Sequence, residues 1–431
     1  MKKGLFIGLC VLLMSVVFCE NILAAEEPKP EAASAILMDV SSGRTLYEKD
    51  ADARLYPAST TKIMTGILAI ERLDMSAAVT VSASAVDVER DGSNMGLLTD
   101  EQLTAEQLVY GLLVHSANDA ANALAEQVSG SVASFVELMN AKAAELGMVN
   151  THFVNPHGYH DDNHYTSARD LALLCDYAVK NEIFKTVVGT AQYQIPPTNK
   201  YKEVRHLSSN NALINPNKGR TFLYSPAKGI KTGHTSMAGA CLTSYAEQDG
   251  MSLIAVVLKA PSSNASFKDS LGLLKYGFNS YEYVQLGDTG QILATSEVEW
   301  AKNNDKALFH LAEPFSSLMP KDYDKAAVTT EVRLPEKLKA PLEAGASLGE
   351  IIYSYNGEEI GRAALCLSKP VSRSIFRMIF GSFCKYVLNL WVMLPLGVLA
   401  LTLLIRRSIA IRRAEEMRRK RKNYNRRNFY N

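Results

Sequence analysis

Apolar and polar positions change period along the chain, and each change marks an element. SAILMDV and TLYEKD, residues 34–50, alternate around Ser41-Ser42-Gly43, which predicts a β-hairpin. Residues 59–73 switch to a helical period, with Ile63, Ile67 and Ile70 near one face. Residues 106–128, 132–146 and 167–179 are also predicted helices, rich in Ala and Leu. Beyond about 228 the strand pattern returns. GACLTSYAEQDGMSLIAVVLKA holds two β-rich runs joined at Asp249-Gly250, a strong hairpin signal. A helix over 267–278 closes this part. Strands at both ends and helices between them imply an α+β fold, an antiparallel sheet with an inserted helical lobe. From 283 to 370 short alternating runs (ALFHL, VTTEVRL, EIIYSY, RAALCL) are separated by turns such as Asn356-Gly357. They predict a small all-β domain.

The two ends carry a different pattern. Lys2 and Lys3, the apolar stretch Gly4 to Phe18 and the small pair Ala24-Ala25 have the order of a secretory signal. Tyr386 to Ile405 is a 20-residue run without a charge, long enough to cross a membrane as one helix. Tyr386 and Trp391 fall near one interface, and Arg406-Arg407 close the other. The partition is a signal peptide over 1–25, a linker over 26–33, a principal domain over 34–281, and a small all-β domain over 282–370. A juxtamembrane linker over 371–385, a transmembrane helix over 386–405 and a basic tail over 406–431 complete it.

Charge sharpens this division. The net charge of +1 over 431 residues averages unlike parts. The tail after 405 has eleven basic and two acidic residues, so the rest of the chain is −8. An acidic body argues against nucleic-acid binding. The positive-inside rule places the tail in the cytosol and the body outside, with the tail against anionic lipid. Six cysteines are scattered without a CxxC pair, so neither disulfide staples nor a cysteine metal site is expected.

Three short motifs occur in order: Ser59-Thr60-Thr61-Lys62, Ser116-Ala117-Asn118 and Lys231-Thr232-Gly233. Alone each is weak. Ser225 to Lys228 repeats the first spacing, and Ser208 to Asn210, Ser209 to Asn211 and Ser262 to Asn264 repeat the second. Context separates them: Ser59 opens a predicted helix, Ser116 lies at a helix-to-loop position, and Lys231 leads into a strand. Residues three apart share a helix face, so Lys62 can reach the Ser59 hydroxyl. A lysine is a base only when neutral, and burial beside a second cation such as Lys231 lowers its pKa. Ser116 can relay a proton to a leaving amine, and Asn118 can hold a substrate backbone. Backbone N–H groups of Ser59 and His234 can form an oxyanion hole. His152, His157, His160 and His164 do not fit a standard zinc spacing and are expected to build a turn beside the site. Asp119 and Asp170 are expected as helix caps or ion pairs.

These motifs, their order and their spacing resemble the penicillin-binding D-alanyl-D-alanine carboxypeptidases, serine-type DD-peptidases of cell-wall synthesis. Further stretches carry the likeness: SGRTLYEKDAD, YPASTTKIMT, GSNMGL, LLVHSANDAANALAE, FVNPHGYHDDNHYTSARDLALL and KTGHTSMAGACL. The resemblance covers roughly 34–280 and implies a β-lactamase/transpeptidase-like domain. It implies Ser59 as the acylated nucleophile, Lys62 as its base and Ser116 as the second-motif relay. Asn118, Lys231, Thr232, Gly233, His234 and Thr235 would bind substrate, with no metal or organic cofactor. The substrate would be a peptidoglycan stem pentapeptide, and β-lactams would acylate the same serine. DD-endopeptidase activity and a penicillin-binding sensor are the alternatives. A class A-like β-lactamase is disfavoured by the lack of a Glu-x-x-Leu-Asn stretch. Two departures stand out. Relatives usually end in an amphipathic helix on the membrane, and they often carry an Arg where this chain has Ser266. Carboxylate recognition then rests on Lys231, Thr232 and Thr235.

Overall fold

A computed structural model describes residues 26–89, 91–387 and 390–427. The signal expected over 1–25 lies outside the described residues, as do the Tyr386 and Trp391 side chains. The chain divides into two compact units, one of residues up to 284 with 318–323, the other of 285–317 with 324 onward.

The first unit is built on a five-stranded antiparallel sheet. Its strands are β1 (Ser34–Asp39), β2 (Thr45–Lys49), β3 (Ala227–Thr235), β4 (Gly239–Gln248) and β5 (Met251–Ala260), in the order β2-β1-β5-β4-β3. Chain start and chain end thus meet in register, Ser34 opposite Leu258 and Asp39 opposite Leu253. The β4–β5 turn is Asp249-Gly250, both with positive φ (51° and 80°), the conformation a two-residue hairpin demands. The sheet is covered on both faces, which explains why β5 is apolar nearly throughout. Ile36, Ile254, Val256 and Leu258 face the core shared with the helical lobe. Leu37, Leu253, Ala255 and Val257 face a second core under helix α7.

The lobe between β2 and β3 holds α1 (Lys62–Arg72), α2 (Ala105–Leu113), α3 (Asn118–Ser129), α4 (Val132–Glu145), α5 (Ala168–Val179) and α6 (Glu182–Val188). α7 (Ser263–Ser280) follows β5. Two helix expectations need correction. The single helix over 106–128 is two, because the chain breaks at Val114–Ala117 with Ser116 at φ 67°. The helix at Ser59 begins as a 3-10 turn, Ala58–Thr61, before α1. Both irregularities fall on the predicted motifs.

The second unit holds a five-stranded antiparallel sheet of β6 (Ala294–Ser296), β7 (Ala307–Leu311), β8 (Val328–Arg333), β9 (Ser347–Tyr355) and β10 (Glu358–Leu367), in the order β6-β7-β10-β9-β8. Phe309, Leu311, Ile351, Tyr353 and Leu365 form its core. The stretch expected as a linker over 371–385 is mostly helix α8 (Ile375–Val387). It exposes Ile375, Phe376, Ile379, Phe380 and Phe383, spaced to lie on one face. The final helix α9 (Leu390–Arg427) carries the apolar run and continues through the basic residues. Within it, Val392–Asn423 holds a stretch apolar enough to cross a membrane by length and composition.

Candidate active site

The 3-10 turn puts Ser59 at the mouth of α1 and Lys62 on its first helical turn. Ala58, just before the serine, sits at φ 48°, a strained conformation for a residue with a Cβ. Lys62 has no solvent exposure. Its Nζ lies 3.0 Å from Ser59 Oγ, 2.7 Å from Asn118 Oδ1 and 2.7 Å from the His157 carbonyl oxygen. Burial, and then the charge of Lys231, push its pKa well below the ordinary lysine value; Asp119 and Glu89 pull weakly the other way. A neutral amine has two N–H donors and one lone pair. The Asn118 and His157 oxygens can only accept, so they take the two donors. The lone pair then faces the Ser59 hydroxyl, the one partner that can also donate.

Ser116 and Lys231 form a second pair. Lys231 Nζ donates to Ser116 Oγ at 3.0 Å and to the Thr232 carbonyl at 2.8 Å. Lys231 is buried, and burial lowers its pKa to about 7. The Lys231 charge is felt at Lys62, where it adds to burial in disfavouring the proton. Asn118 opens α3 directly after the Ser116 break, and its backbone N–H donates to the Ser93 carbonyl at 2.8 Å.

The third motif lies on β3, the edge strand of the sheet, which packs against the turn that carries Ser59. A Cβ added at Gly233 would stand 2.9 Å from the Ser59 backbone nitrogen, so this approach requires glycine. Ser59 opens onto two chambers. One, of about 430 Å³, is lined by Asp91, Ser93, Asn118, His157, Tyr159, His234 and Thr235 among others. The other, of about 280 Å³, includes Ser116, Thr232, Gly233, His234, Lys218 and Ser266. All nine residues singled out in the sequence therefore gather around one cleft.

The histidine-rich segment lies beside the cleft. His157 and His164 are buried, and burial pushes each pKa to about 3, so both are neutral. His164 Nδ1 accepts from the Val154 N–H and its Nε2 lies 2.9 Å from Thr61 Oγ1, tying the segment to the turn at Ser59. Gly158, at φ 84°, lies against the Ala58 carbonyl, where a Cβ would collide. Asp119 accepts from the N–H groups of Met95, Leu97 and Ala120. Asp170 accepts from the Asn150 N–H and the Thr151 hydroxyl. Ser266 donates to the Ser263 carbonyl within α7.

Sequence reasoning missed the supports of the cleft wall. Arg205 pairs with Glu101 at 2.7 Å, both almost fully buried, and donates to the carbonyls of Met95 and Gly96. With Asp119, which takes the Met95 and Leu97 N–H groups, it holds the 95–97 segment. No motif marks this pair, because the partners are about a hundred residues apart. The His157 carbonyl was also invisible, since any residue type offers one.

The chain matches the family model described as D-alanyl-D-alanine carboxypeptidase over residues 21–262. Residues 281–373 match the model for the penicillin-binding protein 5 C-terminal domain. The D-alanyl-D-alanine carboxypeptidase DacF of Bacillus subtilis (strain 168) is 32% identical over 385 residues, 87% of this chain and 96% of that one. The crystal structure of penicillin binding protein 5 from Haemophilus influenzae is 30% identical with a TM-score of 0.66, covering 80% of this chain and 99% of that chain. The Streptomyces K15 DD-transpeptidase structure is 34% identical with a TM-score of 0.54, covering 58% and 98%.

Proposed function

The chain belongs to the D-alanyl-D-alanine carboxypeptidase family of serine hydrolases, and from that premise we propose that it works through an acyl-enzyme on Ser59. The observation that carries this reading is that the fully buried Lys62 Nζ lies 3.0 Å from Ser59 Oγ, with its other two contacts, Asn118 Oδ1 and the His157 carbonyl, both pure acceptors. Lys62 takes the serine proton as Oγ attacks the carbonyl of the penultimate D-Ala of a peptidoglycan stem pentapeptide. The Ser59 and His234 N–H groups receive the developing oxyanion. The terminal D-Ala leaves with a proton from Ser116, whose hydroxyl is refilled from the lysine pair. Asn118 and Thr235 hold the peptide, which runs along the free edge of β3 as an added strand. Water then hydrolyses the ester. A β-lactam acylates the same serine and leaves slowly.

The reading extends to location. α9 spans the membrane with its basic end in the cytosol, and α8 lies along the outer interface on its Phe and Ile face. Labelled penicillin should attach covalently to the full-length chain in detergent, and the chain should release D-Ala from a pentapeptide. Ser59→Ala should abolish both. Label retained by that variant would remove Ser59 as the nucleophile, and stable labelling without D-Ala release would favour a penicillin sensor.

A further inference from the structure

The smaller chamber beside Ser59 has a charge pattern of its own. Its wall carries the hydroxyls of Ser116, Thr232, Ser263 and Ser266 and the amide of Asn210, and among the described residues no carboxylate. Among the described residues, the side chain with a permanent charge there is Lys218. Lys231 lies just behind, but its ammonium is spent on Ser116 and the Thr232 carbonyl. Lys218 is exposed, yet the turn that carries it is firmly built. It ends a 3-10 turn, Pro216–Lys218, founded on the fully buried Asn215. The Asn215 amide donates to the Ser209 carbonyl at 2.6 Å and to Ser208 Oγ at 3.1 Å, and its oxygen accepts from the Asn217 N–H at 3.1 Å. The repeats of the SxN spacing at 208–211 thus brace this loop. The field of Lys218 reaches inward to His115, the neighbour of Ser116. α7 starts at the same wall, with Ser263 and Ser266 on its first turn, so its positive end adds to the potential.

We propose that Lys218 is the cation that reads the free carboxylate of the substrate's terminal residue while that residue sits in this chamber as the leaving group. The proposal rests on the Ser59 carboxypeptidase reading and adds the group that selects a free C-terminus. An ammonium at the chamber mouth pairs with the carboxylate, and the hydroxyls and α7 N–H groups take its remaining lone pairs. Ser266, already bonded within its own helix, contributes no charge.

The experiment compares two substrates on the full-length chain in detergent. One is a synthetic peptide ending in D-Ala-D-Ala as the free acid, the other the same peptide with a C-terminal amide. Wild type should prefer the acid, and raising the salt should erode the preference. Lys218→Ala should shrink the acid-to-amide ratio of kcat/KM by about tenfold to a hundredfold, chiefly through KM. Lys218→Arg should keep the ratio, and Ser266→Arg added to Lys218→Ala should restore part of it by returning a cation to the chamber. Because the measure is a ratio, a partly unfolded variant lowers both numbers and leaves it unchanged. An unaltered ratio in Lys218→Ala would overturn the proposal, as would its loss in Lys218→Arg. Failure of wild type to release D-Ala from the acid, or D-alaninamide from the amide, would instead sink the carboxypeptidase mechanism itself.

Discussion

The two units treat buried polarity in opposite ways. The first buries Lys62, Lys231, Glu101, Arg205, Asp119, Asp170, His157 and His164. Among the described residues of the second unit, Ser317 is the one buried polar side chain, and Phe309, Leu311, Ile351 and Leu365 fill the centre. Its charges lie outside, in exposed pairs such as Arg333–Glu331 and Arg362–Glu359. Taking a charge out of water is costly unless partners replace the lost hydration. A fold keeps such groups where something needs them. In the first unit most of those named sit beside Ser59 or brace the cleft wall, as Arg205 and Asp119 do, while Asp170 ties down the 150–151 turn. The second unit has the economy of a structural domain.

That contrast can be attacked at several strengths. Lys62→Ala should slow penicillin acylation about a thousandfold, since it removes the base; an unchanged rate would place the base elsewhere. Phe309→Ala empties the other unit's core and should destabilise it by about 3–5 kcal/mol in a denaturant titration. Acylation below the melting range should not move. A parallel loss of acylation would show that the units are not functionally separate. Glu101→Ala leaves Arg205 buried and unpaired and should cost about 3 kcal/mol. Here acylation should also fall, because the 95–97 segment, which follows the cleft-lining residues 91–93, loses its anchor; a normal rate would reduce the pair to stability alone.

A subtler test concerns pH. Lys62 acts when unprotonated, so acylation should rise with pH through its lowered pKa. The Lys231 charge helps lower it. Lys231→Met removes that charge, so the Lys62 pKa rises and the acid limb of the acylation profile should move to higher pH. A limb that stays in place would show that burial alone sets the Lys62 pKa. The smallest effect belongs to the second unit's surface, where Arg362→Ala should leave the melting temperature unmoved, because its ion pairs are screened by water.

Much of this molecule was legible along the chain. Alternation at 34–50 and two β-rich runs over 239–260, joined at the Asp249-Gly250 turn, foretold strands that meet from both ends. The three motifs foretold which side chains gather, because i and i+3 on a helix and an edge strand are local rules. The helix break was legible only in part: Ser116 stood at a helix-to-loop position, but LLVHSANDAANAL keeps a helical period, so the left-handed φ of 67° at Ser116 was not legible. α8 was read as a linker because its apolar face, 375–383, is interrupted by Arg377 and Gly381.

By itself, then, the sequence determined the order of strands and helices, the identity of the chemical groups and the apolar run near the C-terminus. Tertiary structure alone decided that Lys62 is sealed from water, that the His157 carbonyl and Asn118 take its two donors, and that Lys218 stands at the mouth of the smaller chamber. The reason is that propensity and spacing act over a few residues. The pKa of an amine and the direction of its lone pair depend on every dipole within several ångströms, brought there from distant parts of the chain.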